Sequence, residues 1–133
     1  MDYQIVQDDE WATVRYEKDD GYVYHTMHQP LTGDIFRKTL NKGLDTLKNN
    51  KATKWLSDDR KNGQFAPDDV EFAVADWGPR AADAGWKYWA LVVPESMAGR
   101  AGMRGIVETF HKMGVHVAIF TDLEDARTWL VNM

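Results

Sequence analysis

The sequence predicts an α/β fold: a single domain with a mainly parallel central sheet, an antiparallel amino-terminal meander and about four helices. Within residues 1–27, short turns separate three segments rich in β-branched and aromatic residues, which is the pattern of antiparallel strands. Further along, apolar segments of strand length alternate with segments whose apolar residues recur every three to four positions. Alternating units of this kind imply right-handed crossovers between parallel strands.

The predicted meander consists of strands at Tyr3–Gln7, Trp11–Glu17 and Tyr22–Met27. The segments between them, Asp8-Asp9-Glu10 and Lys18-Asp19-Asp20-Gly21, contain the acidic residues and glycine that are typical of turns. The three strands are therefore expected to lie side by side, each antiparallel to the next.

The first predicted helix begins at Thr32-Gly33-Asp34 and buries one apolar stripe. The stripe consists of Phe36, Leu40, Leu44 and Leu47. Gly43 lies on the same stripe, although a glycine costs about 1 kcal/mol in a helix interior. We therefore expect another part of the chain to pack closely against the backbone at Gly43.

The second predicted helix begins at Pro67, a residue suited to the first helical position. Asp68 and Asp69 then lie at the positive end of the helix dipole, where carboxylates are favourable. Gly78-Pro79 predicts a kink in this helix, because proline lacks the backbone N–H that a helix interior uses. Gly85 predicts its end, in a left-handed conformation.

Three further strands and two further helices complete the predicted fold. The strands are Thr53–Ser57, Trp86–Val93 and Val115–Phe120. The second of these is apolar on both faces, which is typical of a central parallel strand. Ser96 is predicted to cap the third helix, and Thr121 with Glu124 to form a capping box at the start of the last.

Composition limits the classes of protein to which the chain can belong. Its 133 residues, 44% of them hydrophobic, suffice for one core, so residues 1–133 are predicted to be one domain. The sequence has no cysteine, which excludes disulfides, thiol nucleophiles and cysteine-bound zinc. Because no apolar run has the length of a membrane span and the amino terminus lacks a signal-peptide pattern, we expect a cytoplasmic protein without a membrane span.

Charge is distributed unevenly along the chain, whose formal net charge is −5. Residues 37–61 carry eight lysines and arginines and three acidic residues. These cations fall mainly on one predicted helix and lack the interleaved aromatic residues of a single-strand binder. We therefore predict a solvated helix face and no nucleic-acid partner.

Several motifs together resemble those of one family. They are Trp55-Leu56-Ser57-Asp58-Asp59-Arg60, Asp76-Trp77-Gly78-Pro79-Arg80-Ala81, Ala84-Gly85-Trp86-Lys87, Ala90-Leu91-Val92-Val93-Pro94, Gly114-Val115 and Trp129-Leu130. In these motifs, over nearly its whole length, the chain resembles the bacterial SpoIIAA-like branch of the STAS superfamily, whose members mostly have no assigned activity. The resemblance implies a STAS-like fold that binds a partner protein, a nucleotide or, as in the related CRAL-TRIO lipid-transfer fold, an apolar ligand.

The chain departs from this superfamily at one functional position. In anti-sigma-factor antagonists, a switch serine begins the helix after the strand that corresponds to Thr53–Ser57. Residues 58–67 contain no serine or threonine, and Ser57 lies before this loop. The resemblance therefore implies binding without a phosphoserine switch.

The carboxyl ends of the predicted parallel strands are where ligands of open α/β sheets bind. These ends supply Asp58, Asp59, Arg60, Glu95 and Asp122. Carboxylate oxygens suit a hard cation such as magnesium, so one interpretation is a small metal-assisted enzyme. We favour the simpler interpretation that hydrogen bonds between Asp58 and Arg60 hold the loop, and we predict no metal and no other cofactor.

A second candidate site lies on the second predicted helix, where Asp76 and Arg80 are four residues apart and Trp77 is between them. Arg80 and Arg60 could grip an anionic group while Trp77 forms an apolar wall. The alternative, which we favour, is an ordinary helical ion pair beside a core tryptophan.

Catalytic motifs are absent from the sequence. His25 and His28 are three apart in a predicted strand and point to opposite faces, so they do not form a two-histidine metal site. No serine lies in a nucleophile elbow. We therefore predict no catalytic residue. Of the two functions considered, an enzyme is less favoured than a binding domain.

Aromatic residues are unusually frequent, with six tryptophans, five tyrosines and five phenylalanines. Not all of them fit the predicted core, so some are expected to line an apolar pocket or a protein interface. We predict a non-enzymatic domain that binds a protein partner or an apolar or amphipathic small ligand near Asp58–Arg60 and its aromatic surface. The same surface could join two copies in a homodimer. The alternative is the small metal-assisted enzyme.

Overall fold

In the computed structural model, which describes residues 2–133, six strands form one mixed sheet in the order of the sequence. The strands are β1 (Tyr3–Asp8), β2 (Ala12–Glu17), β3 (Tyr22–Met27), β4 (Lys54–Asp58), β5 (Tyr88–Val92) and β6 (His116–Phe120). The first three pair antiparallel, and β3 to β6 pair parallel. The predicted α/β fold class, with its amino-terminal meander and mainly parallel sheet, is confirmed.

The helices cover the two faces of the sheet unequally. They are α1 (Gly33–Asn49), α2 (Pro67–Glu71), a π-helical segment (Phe72–Trp77), α3 (Gly78–Asp83), α4 (Met97–Lys112) and α5 (Leu123–Val131). Crossovers of one hand between successive strands place the helices from α1 to α4 on one face, which we call the major face. Only α5 packs on the other, the α5 face, where Ala126 and Leu130 contact the apolar side chains of β4 and β5.

The strand register decides which side chains share the major face. In the parallel pair of β3 and β4, Val23 lies opposite Trp55 and His25 opposite Ser57. In the next pair, Trp55 lies opposite Trp89. Because side chains alternate along a strand, all five point to the major face.

Gly43 of α1 packs against the ring of Trp55, as the sequence predicts. A Cβ atom added to Gly43 would lie 2.5 Å from Trp55 Cζ2 and closer still to Cη2. The missing side chain is therefore what allows Trp55 to lie between β4 and α1.

The predicted helix boundaries at Ser96 and Gly85 are confirmed, and the predicted capping box at Thr121 is wrong. Ser96 caps α4, with its hydroxyl oxygen accepting a hydrogen bond from the Gly99 N–H at 3.0 Å, and Gly85 adopts a positive φ of 109°. The predicted capping box of Thr121 and Glu124 does not form. Asp122 is the residue adjoining the first turn of α5, and its carboxylate accepts from the Asp125 N–H at 3.0 Å.

The amino-terminal end of α1 is capped by a residue from a distant helix. Thr32 makes no side-chain cap. Instead, both carboxylate oxygens of Asp69 in α2 lie 3.0–3.2 Å from the Gly33 N–H. Asp69 is only 1% exposed, so this bond ties α1 to α2 inside the protein.

The irregularity predicted at Gly78-Pro79 takes the form of the π-helical segment that directly precedes it. Wider turns of this kind accommodate an interruption in the helical hydrogen-bond pattern. The segment ends at Trp77, whose indole N–H donates to the Leu40 carbonyl at 2.9 Å. No helix among residues 2–133 is both long and apolar enough to cross a membrane.

Candidate functional site

An internal cavity of about 40 Å³ lies between the sheet and the helices of the major face. We call it the aromatic cavity. Its lining is formed by His25, Met27, Phe36, Leu40, Trp55, Ser57, Asp59, Phe65, Ala73, Trp77, Trp86, Trp89, Met103, Ile106 and Phe110. Since one water needs about 10–15 Å³ by this measure, the cavity has room for a few waters or a small organic group.

Four tryptophans surround the cavity and touch one another at steep angles. Trp55 meets Trp77 with ring centroids 5.3 Å apart and ring planes at 86°. Trp77 meets Trp86 at 5.4 Å and 68°, and Trp86 meets Trp89 at 5.4 Å and 60°. T-shaped and tilted contacts of this kind are favourable for aromatic rings. They hold the wall of the cavity in place and leave space between the rings.

A histidine and an aspartate form the polar end of the cavity. His25 Nε2 lies 2.7 Å from Asp59 Oδ1, and both residues are only 3% exposed. The Trp55 indole N–H, which can only donate, donates to His25 Nδ1 at 3.0 Å. Nδ1 must therefore be unprotonated, so His25 is a neutral ring whose Nε2–H donates to the carboxylate.

The polar end keeps hydrogen-bonding capacity that no residue in the described chain uses. The Asp59 side chain accepts from His25 through Oδ1 alone, and Oδ2 accepts no bond from residues 2–133. Ser57 Oγ accepts from the Trp89 indole N–H at 2.8 Å, while its own hydrogen has no acceptor among those residues. Asp59 and Ser57, which both line the cavity, therefore keep one carboxylate oxygen and one hydroxyl hydrogen without a bond to the described residues.

Asp59 reaches the cavity because it extends β4 by one residue. Its N–H donates to the Val92 carbonyl at 3.0 Å, which continues the pairing of β4 with β5. Alternation along the strand then places Asp59 on the same side as Ser57 and places Asp58 on the opposite side. The two adjacent carboxylates thus serve different surfaces.

Asp58 is paired with Arg60 on the other side of the sheet. The guanidinium donates to both carboxylate oxygens, from Nε at 2.9 Å and from Nη2 at 2.8 Å. This hydrogen bonding to Asp58 raises the pKa of Arg60 above its ordinary value. The pair holds the loop after β4, in the way that the simpler interpretation of the sequence expects.

A second opening, the strand-end cleft, lies at the carboxyl ends of the strands and has a volume of about 290 Å³. It is lined by Thr26, Met27, His28, Asp58, Arg60, Lys61 and Glu95. Three of the predicted site residues, Asp58, Arg60 and Glu95, thus come together here, and the Glu95 N–H donates to the Arg60 carbonyl at 3.1 Å. Met27 lines both this cleft and the aromatic cavity, so the two adjoin at this residue.

The residues of the second predicted site lie in two different environments, one exposed and one buried. Asp76 and Arg80 form an exposed pair, 3.2 Å apart, and Arg80 also donates to Asn41 at 3.0 Å. Trp77 is buried and lines the aromatic cavity. Arg80 is not among the residues of the strand-end cleft that contains Arg60, so the arrangement is that of a helical ion pair beside a core tryptophan.

The oxygen ligands of the hypothetical magnesium site are not assembled. Asp58 and Asp59 point to opposite faces, and Asp122 caps α5. Within residues 2–133, no group of three or more histidine, aspartate or glutamate side chains is placed to hold a metal ion.

Sequence reasoning missed His25 and Ser57 as members of the site. The signal was present in β3, where His25 alternates with the apolar residues Val23 and Met27 and must therefore face the same buried side. Ser57 occupies the equivalent position after Trp55 in β4. A polar residue within an apolar alternation indicates either a satisfied core group or a site, and only the register of β3 and β4 shows that the two meet.

The fold and this site define a small α/β domain with an internal aromatic cavity that has one polar end. Comparison of the chain with protein-family models, with curated proteins and with solved structures finds no match.

Proposed function

We propose that this protein is a non-enzymatic binding domain whose aromatic cavity holds an apolar or amphipathic small molecule. The observation that carries the proposal is the cavity's composition, in which aromatic and aliphatic walls surround only three polar side chains at one end. Small-molecule sites in proteins are mostly apolar and contain a few convergent polar groups that orient the ligand.

The hydrogen bonds of the polar end support binding rather than nucleophilic catalysis. A serine nucleophile needs an adjacent general base. Both ring nitrogens of His25 already have partners, Asp59 and Trp55, and Ser57 is bonded to Trp89. These contacts fix the shape of the polar end and leave His25 no free nitrogen with which to activate Ser57.

We expect the ligand to pass between the strand-end cleft and the aromatic cavity at Met27. Its side chain lines both openings, and methionine adapts to several packing arrangements because it is unbranched and flexible. The cleft residues Asp58, Arg60 and Glu95 then form the rim around this passage, where a partner protein could also contact the domain.

We also propose that the chain belongs to the SpoIIAA-like branch of the STAS superfamily. The motifs that resemble this family contribute Trp55, Trp77 and Trp86 to the aromatic cavity, so the resemblance and the cavity involve the same residues. The loop at residues 58–67 contains no serine or threonine, which supports a binding mechanism without a phosphoserine switch.

Filling the cavity tests this function directly. Ala73 lines the cavity and is 3% exposed, whereas Ala75 in the same π-helical segment is exposed. Leucine has nearly the helix propensity of alanine. Ala73→Leu should therefore occupy the space that the ligand needs, and Ala75→Leu is the matched control.

Native mass spectrometry of the protein as isolated should show the 15.3 kDa chain with a bound small molecule, and titration with isobutanol should change the tryptophan fluorescence. Ala73→Leu should lose both signals and Ala75→Leu should keep them. The proposed function is wrong if the unaltered protein carries no molecule and its fluorescence does not respond to isobutanol, or if Ala73→Leu binds as well as the control.

A further inference from the structure

We propose that the ligand of the aromatic cavity carries a cationic head group, such as a protonated primary amine on a small apolar body. This inference rests on the proposed function and names the chemistry of the ligand. The observation behind it is a buried carboxylate in a cavity that has aromatic walls and no lysine or arginine among its described lining residues.

Asp59 is the source of negative charge in the cavity. Its side chain is 4% exposed, and its one ion-pair candidate among residues 2–133 is His25. Because Trp55 donates to His25 Nδ1, the imidazole is neutral and does not balance the carboxylate. A buried carboxylate without a cationic partner is costly, and a cationic ligand would remove that cost.

No lysine or arginine among residues 2–133 lines the cavity. Arg60, the next residue along the chain, is held on the other side of the sheet by two hydrogen bonds to Asp58. The chain therefore keeps its nearest cation in sequence away from Asp59.

The aromatic walls favour the same kind of ligand. The face of an aromatic ring attracts a cation, and tryptophan does so more strongly than tyrosine or phenylalanine. Trp55, Trp77, Trp86 and Trp89 all line the cavity. Together with the carboxylate, they form surroundings that stabilise a small organic ammonium ion.

The hydrogen-bonding groups also fit an ammonium head. A primary ammonium has three N–H donors. Asp59 Oδ2 is an available acceptor, and Ser57 Oγ can accept a second bond beside that from Trp89. A carboxylate ligand would instead place its charge against Asp59, so fatty acids and similar anions should be rejected.

Three probes of similar size but different charge test the inference: isobutylammonium, isobutanol and isobutyrate. A primary amine is protonated at pH 7, as lysine is. Binding is measured by tryptophan fluorescence and by the shift in melting temperature. We expect isobutylammonium to bind about tenfold more tightly than isobutanol, because charge-assisted hydrogen bonds are the stronger kind, and isobutyrate to bind least.

Asp59→Asn removes the charge but keeps an oxygen that can accept from His25, so it should abolish the preference for the cation. Asp45→Asn changes the net charge equally at an exposed position of α1 and should preserve the preference. The comparison of the three probes on the unaltered protein does not depend on the folding of either variant.

The outcomes separate this inference from the proposed function. If isobutanol binds as tightly as isobutylammonium, or if Asp59→Asn keeps the preference, the cationic ligand is wrong while the binding function stands. If none of the three probes binds and the isolated protein carries no molecule, both are wrong.

Discussion

On the α5 face of the sheet, the ring of Tyr24 lies between two arginines of the chain itself, whereas the tryptophans of the cavity on the major face have no such partner among residues 2–133. The guanidinium carbon of Arg15 is 4.7 Å from the centroid of Tyr24, and that of Arg127 is 5.7 Å away. Both distances are within the range of cation–π attraction. The chain thus supplies its own cations to Tyr24, whereas none of the cation–π contacts among residues 2–133 involves a tryptophan of the cavity.

The same difference holds for the carboxylates. Arg15 also pairs with Glu17 at 2.9 Å, and Glu17 has only 6% of its side chain exposed. Asp59 on the major face is equally buried but bonds a neutral histidine. Glu17 therefore has a cationic partner among residues 2–133 and Asp59 has none, and this contrast is the basis for the proposed ligand chemistry.

The largest expected effect comes from Gly43→Ala, which would force the ring of Trp55 to move. We expect the free energy of unfolding to fall by about 1–3 kcal/mol, as is usual for overpacking, in a urea titration. Because Trp55 also lines the aromatic cavity, its displacement should lower the affinity for isobutylammonium as well.

Gly105→Ala is the control, because nothing lies within 4 Å of the added Cβ atom. Alanine is the better helix former, so this variant should be at least as stable as the unaltered protein. Equal stability of Gly43→Ala and Gly105→Ala would contradict the close contact with Trp55.

A smaller effect is expected from neutralising the two buried carboxylates in turn. Glu17→Gln removes the partner of Arg15 and should lower the free energy of unfolding by about 1–2 kcal/mol. Asp59→Asn also weakens a hydrogen bond, but it removes a charge that no cation balances, so in the ligand-free protein the change should stay within about 0.5 kcal/mol. Chemical denaturation measures both, and an equal loss in the two variants would remove the contrast between the faces.

The smallest expected effect is a change in the free energy of unfolding at alkaline pH, which arises from Tyr22 on the α5 face. Burial raises the pKa of Tyr22 above its ordinary value of 10.0, while the hydrogen bond and charge of Arg127 oppose the rise. Because the folded protein favours the neutral phenol, Tyr22 contributes to the free energy of unfolding below pH 10. This contribution is lost as the pH rises through the raised pKa.

Between pH 9 and 11, the free energy of unfolding should therefore fall less in Tyr22→Phe than in the unaltered protein. Urea titration at each pH measures this difference. Every other residue is the same in both proteins, so the difference between the two pH dependences reports on Tyr22. An identical pH dependence in the two proteins would show that Tyr22 is not the group responsible.

Local patterns in the sequence predicted most of the fold. The turns of the meander, the stripe of α1 and the cap at Ser96 each depend on residues close together in the chain. The cap of α1 could not be predicted in this way, since Asp69 is 36 residues from Gly33. The capping box failed because Thr121 and Asp122 are both good capping residues, and the backbone uses the second.

The site was less predictable because it depends on strand register. Asp58 and Asp59 are neighbours in sequence, and only the continuation of β4 past Asp58 places them on opposite faces. His25 meets Asp59 from 34 residues away, and this contact exists only with β3 beside β4. The sequence predicted ligand binding at the carboxyl ends of the strands, which stays a prediction, and the aromatic cavity could be found only in the packed structure.

The most direct test of the central claim is an NMR titration of the six tryptophan indole N–H signals with isobutylammonium. The indole N–H groups of Trp55 and Trp89 bond His25 and Ser57 at the polar end of the cavity, so their signals should move most. Trp11 and Trp129 do not line the cavity and should be unaffected. If the signals of Trp11 or Trp129 move while those of Trp55 and Trp89 stay in place, the cavity is not where a cation binds.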